Sequence, residues 1–297
     1  MDFIDGLKAF VLTAQTGSFT DAAERLGISN RLTSKYVAQL EEKMGARLLQ
    51  RTTRKVGLTP EGQELLSRAP VLLAEIEDLI DTVSEDKKGV AGQIRISAPV
   101  TFGELFINDL LSRFALEYPG ISIDLRLDDH HVDLAADGFD LAFRIGTPDM
   151  TTLKARKLGV ITSVLIASKD YVLEHGAPES PDDLHHHRCI VDTNLRNPNR
   201  WAFTKDDKEY VFHPRRNYMV NNARVAKDWA LNGHGIATCP SFMLSAEDDR
   251  NLAILLPDYT MQTHPICAVY LTGNIIPKKV RLLIDFAVDE FKRSKLV

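Results

Sequence analysis

The chain has 297 residues, of which 44% are hydrophobic, and its formal net charge is −5. This length predicts two or three domains, each able to bury a core. No uninterrupted apolar stretch of about 18 residues is present, which argues against a membrane span, and the acidic first residues are unlike a signal peptide. The three widely spaced cysteines form no Cys-x-x-Cys motif, so we expect a reducing, cytoplasmic compartment rather than a disulfide framework.

The charge is distributed unevenly along the chain. Residues 25–55 hold eight Lys and Arg but two Asp and Glu, a local charge of +6, which leaves −11 for the rest. A basic segment on an acidic protein indicates a polyanionic partner that this segment alone contacts. On composition alone, a solvated charged surface is an equal alternative.

The first thirty residues have the spacing of a helix-turn-helix. Apolar residues from Phe3 to Ala14 recur at helical intervals, and Gly17 predicts the end of this helix. Ser18 and Ser29 are the predicted N-caps of a second and a third helix, which the tight turn LGIS separates.

The third predicted helix, SNRLTSKYVAQLEE at residues 29–42, has an apolar side and a polar, basic side. The apolar side would pack against the other helices and consists of Leu32, Tyr36, Val37 and Leu40. The exposed first turns carry hydrogen-bonding or positively charged side chains, namely Asn30, Arg31, Ser34 and Lys35. No acid precedes Glu41, so this helix start is suited to a phosphate-lined neighbour.

A short β-hairpin with a cationic tip is predicted after Gly45. The apolar residues that would form its two strands are Leu48, Leu49, Val56 and Leu58. The tip between them, residues 51–55, is polar and basic, as in the wing of a winged helix. Thr59 then predicts the N-cap of a further helix, since Pro60 is tolerated at the first helical position.

Residues 60–84 show the seam of a coiled coil. Apolar side chains recur at alternating intervals of four and three residues, at Leu65, Ala69, Leu72, Ile76, Leu79 and Val83. So narrow a stripe needs a partner, either the helix of a second subunit or this chain's own domains. Pro70 deletes one backbone hydrogen bond, so we expect a kink or break near Leu66. The glycines of KKGVAGQ, residues 87–93, predict a hinge.

Strands and helices alternate through the rest of the chain. Strand-like segments such as QIRISAP, ISIDLRL, FDLAFRIG and SVLIAS are separated by helical patterns, and an amphipathic helix ends the chain. This alternation predicts α/β units around a largely parallel sheet, arranged as two halves.

These segments together resemble the LysR-type transcriptional regulators. The run SFTDAAERLGISNRLTSKYVAQLEEKMGARLLQRTTRKVGLTPEG follows the family's spacing, and its two departures, Leu32 and Leu49, remove no hydrogen-bond donor. GQIRISAPVTFG, FDLAFRIG, LIASKDYVLEHGAPESPDDL and NGHGIATCP resemble the family's effector domain. The resemblance therefore covers nearly the whole chain.

The resemblance implies a multidomain protein with an N-terminal all-α winged helix-turn-helix domain at 1–59 and a linker and dimerisation helix at 60–89. The C-terminal effector-binding domain at 90–297 is expected to be an α/β, periplasmic-binding-protein-like, bilobed domain. Lobe 1 would take residues of about 90–162 and 267–297, and lobe 2 those of about 163–266. The resemblance also implies a homodimer through the linker helix, typically a homotetramer, with RNA polymerase as a further partner.

The predicted DNA contacts follow from how a recognition helix enters the major groove, with its N-terminus first. Arg31 is expected to pair with guanine and Asn30 with adenine. The residues expected at phosphates are Ser18, Ser29, Ser34 and Lys35. The wing would reach an adjacent backbone or minor groove through Arg51, Thr53 and Arg54. For Ser18 and Ser29, helix capping is the main expected role.

The effector is expected between the lobes, at the carboxyl ends of strands. Thr101 and Asn222 each lie at the start of a predicted helix, one in each lobe, where free N–H groups favour an anion. We therefore hypothesise a small carboxylate bridged by these two residues, with simple helix capping as the alternative. Arg144 has a structural ion pair as its alternative role. The complete predicted set is Pro99, Val100, Thr101, Phe102, Arg144, Gly146, Thr147, Asn221 and Asn222.

Other chemistry is disfavoured. The consecutive histidines 185–187 cannot share one helical face, and Cys189 completes no zinc spacing with them. Cys239 is expected to be an ordinary buried thiol. No nucleophile elbow, P-loop or dinucleotide fingerprint is present. The sequence thus predicts neither a metal nor a cofactor, and no enzyme.

Three function classes compete. A solute-binding protein or α/β enzyme with an incidental helical domain predicts a signal peptide or a catalytic constellation, and a nucleoid-type protein needs no bilobed domain. The favoured class is a LysR-type regulator that binds double-stranded promoter DNA. Its promoter binding or activation would be modulated by a small-molecule effector, expected to be a small organic acid.

Overall fold

The structure, a computed structural model, describes residues 2–51, 56–83, 90–130, 132–147, 153–245, 250–271 and 276–294. Among its described helices, none combines the length and the apolar character that crossing a bilayer requires. The predicted hinge at 87–93 is described only from residue 90 onward. Residues 52–55 of the predicted wing tip lie outside the described residues.

The N-terminal module consists of three helices and a two-stranded antiparallel hairpin. Its elements are α1 Phe3–Thr16, α2 Phe19–Leu26, α3 Asn30–Met44, β1 Leu49–Arg51 and β2 Val56–Leu58. All three helices end at a glycine in the left-handed conformation, at Gly17, Gly27 and Gly45. The fully buried Phe10, Leu40 and Leu48 join α1, α3 and the hairpin in one core. The predicted winged helix-turn-helix is confirmed.

The inward side of α3 differs from the predicted apolar stripe. Thr33, Val37 and Leu40 are buried, whereas Leu32 and Tyr36 are half-buried. The Thr33 hydroxyl donates to the backbone carbonyl of Ser29 at 3.1 Å, which satisfies its polar group inside the core. Thr33 therefore faces the core at the start of α3, where the sequence pattern predicted Leu32.

The linker helix α4, Pro60–Val83, passes through Pro70 without interruption. The predicted cap is confirmed, because the Thr59 hydroxyl accepts the Gly62 N–H at 3.0 Å. The predicted break near Leu66 does not occur, since Leu66 and its neighbour Ala69 are buried in the module's core and hold this part of the helix.

Lobe 1 is built on a five-stranded mixed sheet. Its strands are β3 Gly92–Ala98, β4 Ile121–Leu127, β5 Leu141–Ile145, β6 Leu153–Ile161 and β15 His264–Leu271, in the order β4-β3-β5-β15-β6. Strand β15 runs antiparallel to both of its neighbours, β5 and β6. The lobe's helical segments are α5 Val100–Phe102, a π-helical stretch Gly103–Ile107, α6 Asn108–Glu117, α7 Leu134–Asp137 and α10 Lys278–Arg293.

Lobe 2 has a second five-stranded mixed sheet. Its strands are β7 Ser163–Ser168, β8 Cys189–Asp192, β11 Arg216–Val220, β12 Ile236–Pro240 and β13 Leu252–Leu255, in the order β11-β8-β12-β7-β13. A smaller antiparallel sheet comprises β9 Trp201–Lys205, β10 Lys208–Phe212 and β14 Thr260–Met261. The helical segments are α8 Lys169–His175, α9 Ala223–Leu231 and the 3₁₀ turns Pro181–His186 and Ser241–Met243.

The two sheets are mixed rather than largely parallel as predicted. In each, parallel strands from α/β units lie beside antiparallel strands, because the chain crosses between the lobes twice. The crossings follow Ile161, at the end of β6, and precede His264, at the start of β15. The carboxyl ends of β3 and β8 thus border the space between the lobes, which positions the site.

The N-terminal module also contacts lobe 1 within the chain. The Gln15 side chain of α1 donates a hydrogen bond of 3.0 Å to the backbone carbonyl of Ala135 in α7. Ala136, from the same short helix, packs against the core of the module. This contact joins the module that would bind DNA to the lobe that would bind the effector.

Candidate DNA-binding surface and effector cleft

The N-terminal half of α3 presents an exposed polar and basic surface. Asn30, Arg31 and Lys35 are exposed, and within the described ranges neither charged side chain has an ion-pair partner. The Asn30 amide donates to the Thr20 hydroxyl at 2.8 Å, which fixes its orientation beside α2. Ser34 lies one turn further on, with its hydroxyl 3.5 Å from the Asn30 side-chain oxygen. The helix thus begins with donors that a polyanion can engage.

The two serines predicted to cap helices do so. The hydroxyl of Ser18 accepts the Asp21 N–H, and that of Ser29 accepts the Leu32 N–H, each at 3.2 Å. A capping oxygen used in this way leaves the hydroxyl proton available to a phosphate oxygen. Capping and a phosphate contact are therefore compatible at both serines.

The wing is attached to the recognition helix through Glu41. Its carboxylate oxygen Oε1 accepts the backbone N–H groups of Leu48 and Leu49, at 2.8 and 3.1 Å. Arg51 pairs with Val56 in the hairpin register, and only its backbone is described. The predicted wing contacts Thr53 and Arg54 lie outside the described residues.

Polar contacts between described residues join the lobes across the cleft. Arg224 forms an ion pair of 2.9 Å with Glu104, and Arg196 donates to the backbone carbonyl of Thr147 at 3.4 Å. At the centre, the side-chain amide of Asn194 in lobe 2 donates to Asp129 Oδ2 in lobe 1 at 2.9 Å.

The first backbone N–H of the helical segment after β3 already has a hydrogen-bond acceptor. Asp129 Oδ1 accepts the Val100 N–H at 2.9 Å, so the expectation of a free N–H is wrong at this residue. Thr101 is only 7% exposed, and none of the described residues accepts or donates a hydrogen bond at its hydroxyl. Phe102 is a core residue, with its ring against Phe106 and Phe242. Of this set, Thr101 offers the available polar atom.

Arg144 is half-buried at the end of β5. Its guanidinium donates to the Ser97 hydroxyl at 3.0 Å and to the Phe143 carbonyl at 3.2 Å. Burial lowers the pKa of Arg144, against the opposing effect of the charges on Asp128 and Asp129. In the part of the chain that the structure describes, no carboxylate forms a salt bridge with it, so the structural ion pair considered as an alternative is not found there.

Asn222 caps α9. Its side-chain oxygen accepts the N–H groups of Arg224 and Val225, at 3.0 and 3.2 Å, so the capping considered as the alternative role is present. The neighbouring Asn221 carbonyl accepts a hydrogen bond from the same Asn194 amide that contacts lobe 1. Within lobe 1, the Gly146 N–H donates to the Pro265 carbonyl of the neighbouring strand at 2.8 Å.

A buried carboxylate, Asp192, lies at the end of β8 next to this contact. It is 6% exposed, and burial raises its pKa to about 6. The backbone N–H of Asn194 opposes this increase, whereas the charge on Asp129 adds to it. Asp192, Asn194 and Asp129 were not predicted from the sequence, although each lies at the end of a strand or two residues beyond it, the signal that selected Thr101 and Arg144.

His187 and the three cysteines are buried. His187 lies 3.3 Å from the Tyr171 hydroxyl in a buried contact. Among the described residues, no three side chains are grouped so that they could hold a metal ion. All three cysteines are buried, and burial raises the pKa of Cys189 to about 12, which keeps it a protonated thiol.

Comparison with known proteins assigns both parts of the chain. Residues 4–63 match the bacterial regulatory helix-turn-helix protein model of the lysR family, and residues 87–292 match the LysR substrate binding domain. An uncharacterised HTH-type transcriptional regulator of Haemophilus influenzae is 34% identical, covering 94% of this chain and 98% of its own length. The HTH-type transcriptional regulator CrgA of Neisseria meningitidis is 31% identical over 96% of this chain and 95% of its own length.

Solved structures of transcriptional regulators match nearly the whole chain. The full-length Vibrio cholerae virulence activator AphB has a TM-score of 0.62 at 28% identity, covering 96% of this chain and 98% of that one. CrgA of Neisseria meningitidis gives a TM-score of 0.60 at 29% identity, with the same coverage. These relatives are transcriptional regulators, a class without enzymatic activity. The chain belongs to the LysR family, as a DNA-binding transcriptional regulator with an effector-binding domain.

Proposed function

We propose that this regulator reads promoter DNA with the N-terminal half of α3. The observation that carries this proposal is the exposed pair Arg31 and Lys35, two cations without ion-pair partners in the described structure, on the helix that a winged helix-turn-helix inserts into the major groove. Arg31 and Asn30 would contact bases. The phosphate contacts would come from Ser18, Ser29, Ser34 and Lys35, with wing contacts from Arg51, Thr53 and Arg54.

The regulator would act in the cytoplasm as a homodimer through α4, assembled further into a homotetramer. Leu72 and Leu79 support this, because they are 50% and 63% exposed in the single chain although they belong to the predicted seam. Two recognition helices could then read half-sites about one helical turn apart. RNA polymerase would be a further partner at the promoter.

The effector would be a small organic acid bound between the lobes. Thr101 supports this with a hydroxyl that no described residue engages, and Arg144 with a half-buried positive charge. The remaining proposed contact residues are Pro99, Val100, Phe102, Gly146, Thr147, Asn221 and Asn222. Such an acid would change the contacts between the lobes and thereby the spacing of the DNA-binding modules.

Isothermal titration of the full chain with a panel of small organic acids tests the effector site. We expect one acid or more to bind, and Thr101→Ala to weaken that binding. Asn222→Asp should weaken it too, because it keeps a capping oxygen for α9 but adds a negative charge. The matched control is Thr204→Ala, at an exposed position of lobe 2. Unchanged affinity in both cleft variants, or no acid bound at all, would refute the site.

A further inference from the structure

One carboxylate of the chain itself joins the lobes at the proposed effector site. Asp129 uses both of its oxygens: Oδ1 accepts the Val100 N–H of lobe 1, and Oδ2 accepts the Asn194 amide of lobe 2, each at 2.9 Å. The same Asn194 amide donates to the Asn221 carbonyl, at the corner that precedes α9. Asp129 therefore links the two lobes through one carboxylate.

The surroundings of this carboxylate favour a negative charge. The Val100 N–H begins a continuous helical segment, α5 to α6, whose positive dipole end is directed at Asp129. Arg144 lies close enough for its charge to interact with that of Asp129. An N–H from one lobe and an amide from the other thus form a carboxylate-binding position, and an aspartate of the chain fills it.

We propose that Asp129 is an internal competitor of the effector. Its carboxylate occupies the position that the carboxylate of the effector takes. Binding then exchanges one carboxylate for another at the Val100 N–H, and the Asp129–Asn194 link between the lobes is broken. This inference rests on the proposed function, because it assumes that the cleft binds an acid.

The exchange also restricts the chemical class of the effector. Replacing one carboxylate with another leaves the number of hydrogen bonds nearly unchanged, so a bare carboxylate gains little affinity. An effector has to offer a second polar group that Asp129 lacks, and the Thr101 hydroxyl and the Arg144 guanidinium are the groups that would receive it. The favoured ligands are therefore small acids with a second carboxylate or a hydroxyl group.

Chemical rescue with formate tests whether this position accepts a free carboxylate, as the competition requires. Asp129→Ala removes a carboxylate and leaves a methyl group, so formate restores the missing group. We expect formate to raise the melting temperature of the full-length variant by about 2–4 °C relative to chloride at the same ionic strength. The wild type should show no such difference. Asp128→Ala is the matched control, because Asp128 bonds to His130 of its own loop.

Equal responses to formate in the wild type, Asp129→Ala and Asp128→Ala would overturn the proposal. Asp129→Ser provides a second variant with the same expectation, should the alanine variant fold poorly. Formate rescue and the titration with organic acids can fail independently of each other. Rescue by formate without binding of any acid to the wild type would refute the effector class, whereas acid binding without rescue would refute the role of Asp129.

Discussion

The carboxylate of Glu41 accepts the backbone N–H of Leu48 at 2.8 Å, and thereby connects the last turns of the recognition helix to the first strand of the wing. A second bond, from the Leu49 N–H at 3.1 Å, uses the same oxygen. Because both donors belong to the hairpin, this single side chain sets the position of the wing relative to the helix that would enter the groove.

Glu41→Ala is expected to destabilise the DNA-binding module and weaken DNA binding. Two half-buried N–H groups lose their charged acceptor, a cost of about 1–3 kcal/mol in the free energy of unfolding. Urea unfolding and fluorescence anisotropy with operator DNA measure the two effects. Glu42→Ala makes the same change of charge at an exposed neighbour. Equal losses in both variants would show that charge, not attachment of the wing, is responsible.

Arg31→Ala and Lys35→Ala should weaken DNA binding in different ways. Loss of a base contact at Arg31 should cost about 1–3 kcal/mol on the preferred operator and relax the preference at one base pair. Loss of a phosphate contact at Lys35 should weaken all sequences alike and reduce the salt slope by about one. Competition binding with single-base-pair operator variants separates them. A uniform loss for Arg31→Ala would contradict its assignment.

Leu72→Glu and Leu79→Glu should each shift the protein towards monomers. Both leucines are exposed in the single chain, so a charge costs little there, but it would be buried unpaired in a helix–helix seam. Sedimentation velocity at micromolar concentration measures the shift. Ser67→Glu puts the same charge on an exposed position of α4 outside the seam. An unchanged oligomer in both leucine variants would exclude α4 as the dimer contact.

Asp192 should make the effector domain less stable as the pH rises. Burial raises the folded-state pKa of Asp192 from 3.8 to about 6. Unfolding therefore releases a proton between these values, so the free energy of unfolding falls with rising pH across this window. The full penalty, about 3 kcal/mol, is reached above pH 6. Asp192→Asn removes it and keeps an acceptor for the Asn194 N–H.

Urea unfolding of the wild type and Asp192→Asn at pH 4.5 and 7.5 measures this penalty. We expect the variant to gain stability relative to the wild type at the higher pH. Asp128→Asn is the control, because hydrogen bonds from His130 lower the pKa of Asp128 and so place its titration below this pH range. A pH-independent difference between the wild type and Asp192→Asn would contradict the assigned cause.

Local features of this chain could be predicted from the sequence. The caps at Ser18, Ser29 and Thr59, and the wing strands, depend on residues within a few positions of one another. The exposed first turns of α3 follow from helical periodicity in the same way. Which side chains pack inward was harder to predict from the sequence, because burial of Thr33 depends on the hydrogen bond of its hydroxyl to the backbone carbonyl of Ser29.

The contacts between the lobes could not be predicted. Asp129 and Asn194 are 65 residues apart, and Glu104 and Arg224 are 120 apart. The alternation of strands and helices predicts that the loops carrying these residues lie at the edges of the sheets that face the cleft. It does not predict which side chains meet there. The expectation of a free N–H at Val100 failed for this reason, because the carboxylate that occupies it comes from a different loop.

Sequence recognition by α3 can be measured by fluorescence anisotropy, with a labelled duplex from upstream of the regulator's own gene titrated across a range of KCl concentrations. We expect tight binding that a scrambled duplex does not reproduce. We also expect a log–log salt slope near −5, for about six phosphate contacts. Binding that is independent of salt, or equal for the native and scrambled duplexes, would contradict the assignment of α3 as a sequence-reading helix.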